Sequence, residues 1–407
     1  MPAYGFVFCV LAALGALAVS AAEESAKKAS IVVVSAGDHD RHETPVCVPL
    51  PDAAGTEWMM ADEAGAAVPV QADGRKRLWF ILPEVKAGQS KTYSLREGKA
   101  ADAPGGVEAV KDGGVVKLTV DKKEVLRYQA EKSALPQGYE PAFQRGGYLH
   151  PVLTPSGRPV TDDYPPNHKH HHGIWTPWTK TEFEGRHPDF WNMGAKTGTV
   201  EFVALDGTWS GPVFGGFRSR HKQVDLTAQP DPKTALNETW ELAVFRVGLS
   251  ARKYHLFDLT VTQECASASP LTLPKYHYGG LGVRGNRRWD GVPNATFLTS
   301  EGKTRANGNE TRARWCFMGG KVDGELAGIA MLDHPDNFRA PQPLRIHPSE
   351  PFFGPCVSQL GDWKIEPGKP YVARYRFIVS DGAADQAELD RVWNDFAKPP
   401  QVTVRHP

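Results

Sequence analysis

Residues 371–379, YVARYRFIV, constrain the fold more than any other stretch of the chain. Tyr371, Ala373, Tyr375, Phe377 and Val379 fall on one face of an extended segment and Arg374 and Arg376 on the other, the two-residue period of a strand with one polar face. A helix would scatter these residues around its axis, so the segment needs strand neighbours to bond with and an apolar layer to face. Residues 239–245 and 254–262 carry the same signal, and further strands are expected at 30–35, 44–49, 76–82, 91–95, 115–120 and 124–128. The chain's 40 glycines and 33 prolines, scattered without a period, supply the turns that many short strands demand. One helix is expected over 385–398, where Leu389, Val392, Trp393 and Phe396 hold helical spacing up to the stop at Pro399-Pro400. Alternating strands in this number bury their apolar faces by packing sheet on sheet. The expected class is all-β: a large antiparallel β-sandwich with a small N-terminal β domain and a C-terminal helix.

Composition sets the outer limits. Residues 6–19 form an apolar run too short to span a membrane, and Ser20-Ala21-Ala22 offers the small residues of a cleavage site. Residues 1–22 therefore read as an export signal, with the mature protein in the periplasm or outside the cell. Residues 98–106, GKAADAPGG, are small and polar. They read as a linker between a small β-sandwich at 23–100 and a main domain at 107–398, and as the first place a protease should cut. Basic and acidic residues balance at 47 each, which argues against nucleic acid as a partner. After residue 22 no apolar run approaches the ~18 residues of a membrane span. Cys47, Cys265, Cys316 and Cys356 lack CxxC spacing, so they are either paired in some order or free in the core. A core of this size is expected to stand without a structural metal, and a chelator should leave the melting temperature unchanged.

The chemistry concentrates in residues 147–194. Prolines and glycines break this segment, and it holds six of the 14 histidines beside Trp175, Trp178 and Trp191. A long irregular segment inside a compact domain is more often functional than not. In the run His168-Lys-His-His-His172, an extended backbone would place His168, His170 and His172 on one face and His171 on the other. Imidazoles crowded in this way resist protonation and serve as proton carriers, metal ligands or hydrogen-bond partners. Asp162, Asp163, Glu182 and Asp189 lie near in sequence as supporting groups. Flat indole rings stack on sugar faces while histidines and carboxylates take the hydroxyls, a mixture that suits carbohydrate. Further on, the glycines of 275–285 allow a bend that presents Tyr276, His277 and Arg284. The Pro-bounded loops at 331–339 and 350–355 contribute His334 and Glu350.

These residues define an expected site. His170 and His171 with Asp189 or Glu350 are the candidate acid–base groups, and His168, His172, Trp175, Trp178, Trp191, Tyr276, His277, Arg284 and His334 the candidate binding groups. No cofactor is required by this reading, although a divalent metal at the histidine cluster is the alternative. A sugar or keto-sugar enzyme is expected first, then a glycan-binding protein without catalysis, then a metal-dependent hydrolase or lyase. For a sugar site, His170→Ala and His171→Ala should each abolish ligand-induced stabilisation and leave the unliganded melting temperature nearly unchanged.

Five motifs carry a resemblance: YLHPVLTPSG at 148–157, NHKHHHGIW at 167–175, DFW at 189–191, YGGLGVR at 278–284 and LDHPDN at 332–337. Together they resemble an exported bacterial family of unknown function labelled "methane oxygenase PmoA". Members of that family carry Asp-His-Pro-His-His-Arg where this chain has Asn167, His168, Lys169, His170, His171 and His172, so the three middle histidines match and the flanking charges do not. The oxygenase label conflicts with the lack of apolar spans. The architecture implied by the resemblance is similar to the galactose-mutarotase-like supersandwich, in which a histidine and a carboxylate act on a sugar ring.

Overall fold

The computed structural model describes residues 29–50, 57–99, 103–249 and 253–406. The expected export signal at 1–22 lies outside the described residues, as do residues 100–102 of the expected linker. Two eight-stranded antiparallel sheets face one another. The long-strand sheet runs, in spatial order, through Gly198–Trp209, Phe214–Asp225, Lys233–Phe245, Tyr254–Cys265, Tyr371–Asp381, Glu325–Asp333, Trp315–Val322 and Ala295–Thr299. The opposing sheet runs through Leu344–Ile346, Phe352–Pro355, Gly282–Arg284, Ile174–Trp175, Tyr148–Val152, Lys123–Gln129, Val115–Val120 and Val107–Asp112.

The alternation in residues 371–379 does the work expected of it. Ala373, Tyr375, Phe377 and Val379 enter the core between the sheets. There Phe377 stacks on Phe257 of the paired strand, with ring centroids 4.8 Å apart, a contact that contributes roughly 0.5–1.5 kcal/mol beyond its burial. On the same strand Arg376 is buried and bonds Asp258 through two nitrogens, at 2.7 and 2.9 Å. The opposite, outer face of the long-strand sheet is covered too. Phe214, Phe245, Leu256, Trp315 and Ile378 pack there against Leu389 and Val392 of the C-terminal helix and against Trp79 and Ile81 of the small domain. The helix spans Gln386–Ala397, with Asp385 as its cap accepting the amide of Glu388 at 3.1 Å.

The small domain has a core of its own, centred on Val32, Val34, Phe80, Tyr93 and Leu95. It is not contiguous in sequence. Residues Gln401–Arg405 form a strand that pairs with Ser30–Ser35, and Val402 and Val404 pack on the domain's core. On the other side of that junction, buried Asp395 of the helix bonds Arg41 at 3.0 Å and Thr44 at 2.8 Å. Deleting residues 399–407 is therefore expected to speed hydrogen exchange of the amides at 30–35 while the sandwich keeps its protection. Unchanged protection at 30–35 would show that the pairing contributes nothing.

The four cysteines Cys47, Cys265, Cys316 and Cys356 are free thiols. Among the described residues no helix is long and apolar enough to cross a membrane.

Candidate functional site

The site lies on the outer face of the shorter-stranded sheet, away from the core between the sheets. In three neighbouring strands Ile174, Val283 and Phe353 point into that core, so their strand neighbours Trp175, Arg284 and Phe352 point outward. Trp175 pairs with Gly282. A side chain at Gly282 would strike the rings of Trp175 and Trp191 at about 3 Å, and its absence lets the two indoles pack against the sheet. Trp175, Trp191, Phe352 and Tyr148 form one apolar floor, with Tyr278 at its edge.

The histidine run covers this floor, but not as an extended chain. His168 donates its amide to Pro165 O at 3.0 Å, and His171 donates to His168 O at 2.8 Å, so the backbone turns between them. The turn cancels the expected alternation: His168, His170 and His171 converge and His172 departs. Ring centroids are 4.6 Å apart for His168 and His171, 4.8 Å for His170 and His171, and 5.9 Å for His168 and His170. His347 joins them 5.3 Å from His168. His172 instead bonds Asp163 at 2.7 Å, between the rings of Tyr148 and Tyr164.

Burial keeps this cluster uncharged. It pushes His170 down to about 3, helped by His168 and His172, and His347 down to about 4, helped by Arg345 and His168. His171 is also held well below the ordinary value, first by burial and then by His170 and His168. The enclosed Nδ1 atoms of His168 and His171 have no hydrogen-bond partner. His347 is different: its Nδ1 accepts the amides of Glu350 at 2.9 Å and Ser349 at 3.3 Å, which leaves the proton of the neutral ring on Nε2.

Beside the imidazoles stands a carboxyl pair. Fully buried Arg284 donates to Glu350 at 3.1 Å and to Asp290 at 2.5 Å, and Asn167 also donates to Glu350, at 2.5 Å. Burial opposes ionisation of both acids. For Glu350 the nearby Arg284 charge and the bonds from Arg284 and Asn167 outweigh it and lower its pKa. For Asp290 burial prevails, reinforced by the Glu350 charge, and its pKa is raised. Opposite shifts in two neighbouring carboxyls are one way for a site to hold a proton donor beside a base.

Of the expected site residues, His168, His170, His171, Trp175, Trp191, Arg284 and Glu350 come together. Tyr276 and His277 stand at the flank, each 4.9 Å from Tyr278, which lies 5.2 Å from Trp191. Four expectations are corrected, the first being His172, which turns away to Asp163. Asp189 accepts four hydrogen bonds, from the amides of Trp191 and Asn192 and from the side chains of Thr179 and Asn192, so it braces the Trp191 turn and has no lone pair left for proton transfer. Trp178 belongs to a separate core cluster and donates its indole N–H to Gln263. His334 packs on Phe396 of the C-terminal helix, with its Nδ1 accepting the amide of Asp336. Sequence reasoning missed Asp290, His347 and Phe352; only the placement of His347 three residues before Glu350 hinted at a shared loop.

Among the described residues no three His, Cys, Asp or Glu side chains are arranged to hold a metal ion. His170 and His171 also part company in stability terms. His171 is buried, with ring centroids 5.1 Å from Trp175 and 5.0 Å from Phe352, so His171→Ala should cost about 1–3 kcal/mol in a denaturant titration. His170→Ala, on the partly exposed side, should cost less than half of that. Equal losses would refute the distinction.

A search of curated proteins finds no match to the chain. A family profile does match, over residues 115–394, a span that holds every residue of the site and leaves out the small domain's N-terminal strands. The chain belongs to the family of unknown function DUF6807.

Proposed function

We propose that this is an exported carbohydrate-active enzyme, working by side-chain acid–base chemistry on a sugar or keto-sugar. The observation that carries the reading is the Asp290–Glu350 carboxyl pair, joined by Arg284 beside uncharged, unpartnered imidazoles and an indole floor. Asp290, the carboxyl whose pKa burial raises, serves as the acid. Glu350 or a neutral imidazole serves as the base. Trp175 and Trp191, buried beneath the histidines, hold the imidazoles in place, and the partly exposed His168 and His170 supply bonds to sugar hydroxyls. The resemblance to PmoA-labelled proteins and to the mutarotase-like supersandwich is compatible with this reading, and the export signal expected at residues 1–22 supports a place of action in the periplasm or outside the cell.

The test is turnover on a panel of oligosaccharides and keto-glycosides, with Asp290→Asn and Glu350→Gln as controls. Each variant should lose about 10²–10⁴ in rate and retain the wild-type melting temperature within a few degrees. Binding without turnover would make this a glycan-binding protein. A divalent cation at the histidine cluster is a second reading, favoured by the unpartnered Nδ1 atoms of His168 and His171, although no three side chains among the described residues are arranged to hold one. Activity that vanishes on chelation and returns with a divalent metal would establish it.

A further inference from the structure

A hollow of about 540 Å³ lies between the small domain and the outer face of the long-strand sheet, so the sandwich core separates it from the histidine cluster. That volume is within the range of small-ligand sites, roughly 300–1,000 Å³. Strand register builds its floor. Phe214, Phe245, Leu256 and Ile378 are cross-strand partners in one row of the outer face, the row that the helix and the small domain cover. Two residues away along each strand, on the same face, the next row runs Trp209, Gly216, Ala243, Asp258 and Arg376. Its small members, Gly216 and Ala243, leave room above the sheet. A side chain at Gly216 would strike the Trp209 ring at 2.9 Å, so that indole lies over the glycine.

The small domain supplies the other wall. Gln71 anchors it to the sheet, accepting the amides of Val213 at 3.1 Å and Phe214 at 3.0 Å and donating to Phe214 O at 2.9 Å, and Arg75 donates to Glu241. Trp79, its indole N–H bonded to Asp73 at 3.0 Å, packs on Phe214 and Phe245. Trp79, Trp209 and Phe396 all line the hollow with Ala243. The lining acids Asp73, Glu241 and Asp258 are matched by Arg75, Arg77 and Arg374, which leaves no net charge to select an ion. Asp73 holds Arg77, Glu241 holds Arg75 and Arg218, and Asp258 holds Arg376, yet each carboxylate keeps acceptor capacity for a hydroxyl, since it can take about four bonds. Aromatic rings beside hydrogen-bonding groups of balanced charge match a neutral sugar, with its apolar C–H faces and its hydroxyls. A lipid chain would instead set hydrocarbon against the charged pairs.

We propose that this hollow is a second ligand site, one that holds a neutral sugar unit of an oligosaccharide against Trp79 and Trp209 and does no chemistry on it. It shares the ligand class of the reading above but none of its residues, so either can fail without the other. It also gives the small domain a task, because the hollow has no second wall without residues 71–79.

The experiment is hydrogen exchange of the whole chain with and without neutral oligosaccharides of the gluco, galacto, manno and xylo series, followed by calorimetric titration with any that protect it. At least one should slow exchange at residues 71–79 and 241–245, a readout that does not depend on any variant folding. Trp209→Ala, on a partly exposed edge strand, and Ala243→Trp, which fills the hollow, should each weaken that sugar at least tenfold, equal to about 1.4 kcal/mol. Glu350→Gln should leave the protection at 71–79 intact. A sugar that protects 168–175 and not 71–79 overturns this proposal and leaves the proposed function standing. One that protects 71–79 alone supports the hollow and counts against the catalytic reading. Protection at 71–79 that survives Ala243→Trp, or no protection by any sugar, overturns the proposal.

Discussion

Arg284→Met is expected to destabilise the protein by about 3 kcal/mol and to remove the turnover proposed above with it. The guanidinium is fully buried and is the joint between Asp290 and Glu350. Methionine fills the same space but leaves two carboxyls facing each other with no cation between them. The larger part of the cost comes from those orphaned acids, because an uncompensated buried charge loses water and gains nothing. Both acids retain some exposure, 34% for the Asp290 side chain and 13% for Glu350, which is why the figure sits at the low end for a broken buried pair. The loss should shrink on acidification. Glu350 has a lowered pKa in the wild type, so its stabilisation is present above the ordinary carboxyl value and fades as pH falls through the lowered one. In the variant both acids take up protons early and the strain is relieved. Denaturant titrations of wild type and variant at pH 7 and pH 4 give both numbers. A variant within about 0.5 kcal/mol of wild type at pH 7 would show that the pair is not structurally coupled to Arg284. Arg284→Lys keeps the charge and loses the fork, so it should recover stability before it recovers turnover.

The fold was legible in sequence wherever a local period was set by the core. Residues 371–379 alternate because one face meets the opposing sheet, and the strand there runs Tyr371–Asp381. The helix announced itself by Asp385 at its start and by apolar spacing after it. What stayed hidden depends on partners distant in the chain. Gln401–Arg405 is a short strand behind two prolines, and nothing local says that its partner is Ser30–Ser35 at the other end of the protein. The site divides along the same line. The histidines, indoles, Arg284 and Glu350 were visible as residue types out of place in a loop. Their grouping was not, because the turn at 165–171 reverses which ring faces which. Asp290 was invisible for a similar reason: it ends a single 3-10 turn, Arg287–Trp289, that carries it back to Arg284. Asp189 misled because a carboxylate beside a tryptophan looks the same in sequence whether it braces the turn or meets a substrate.

Acid should unfold this protein unusually early, and the cause is buried neutral imidazole. In the folded chain His170 is pushed to about 3 and His255 to about 4, both mainly by burial, and His171 lies well below the ordinary 6.5. A lowered histidine pKa has a definite sign. Below pH 6.5 the unfolded chain takes up a proton that the folded chain refuses, so each such ring removes stability as pH falls, at about 1.4 kcal/mol per pH unit, until the folded value is reached. Asp333 acts in the opposite sense. Its buried carboxyl is raised to about 7, so over the same interval it holds a proton that the unfolded chain has released, and it gains about what one histidine loses. His347, held at about 4, adds a fourth ring, and four rings against one acid leave a net loss of about 4 kcal/mol per pH unit below pH 6.5, a large fraction of the stability of an ordinary domain. Urea titrations at pH 6.5 and 5.5 measure that slope. His255 offers a separate control, since its enclosed Nε2 has no partner and it takes no part in the site. His255→Phe should reduce the slope by about 1.4 kcal/mol per pH unit without altering ligand binding. A flat stability profile between pH 6.5 and 5.5, or a slope that His255→Phe leaves untouched, would mean that these imidazoles accept protons in the folded state, and the uncharged cluster on which the acid–base reading depends would be lost with them.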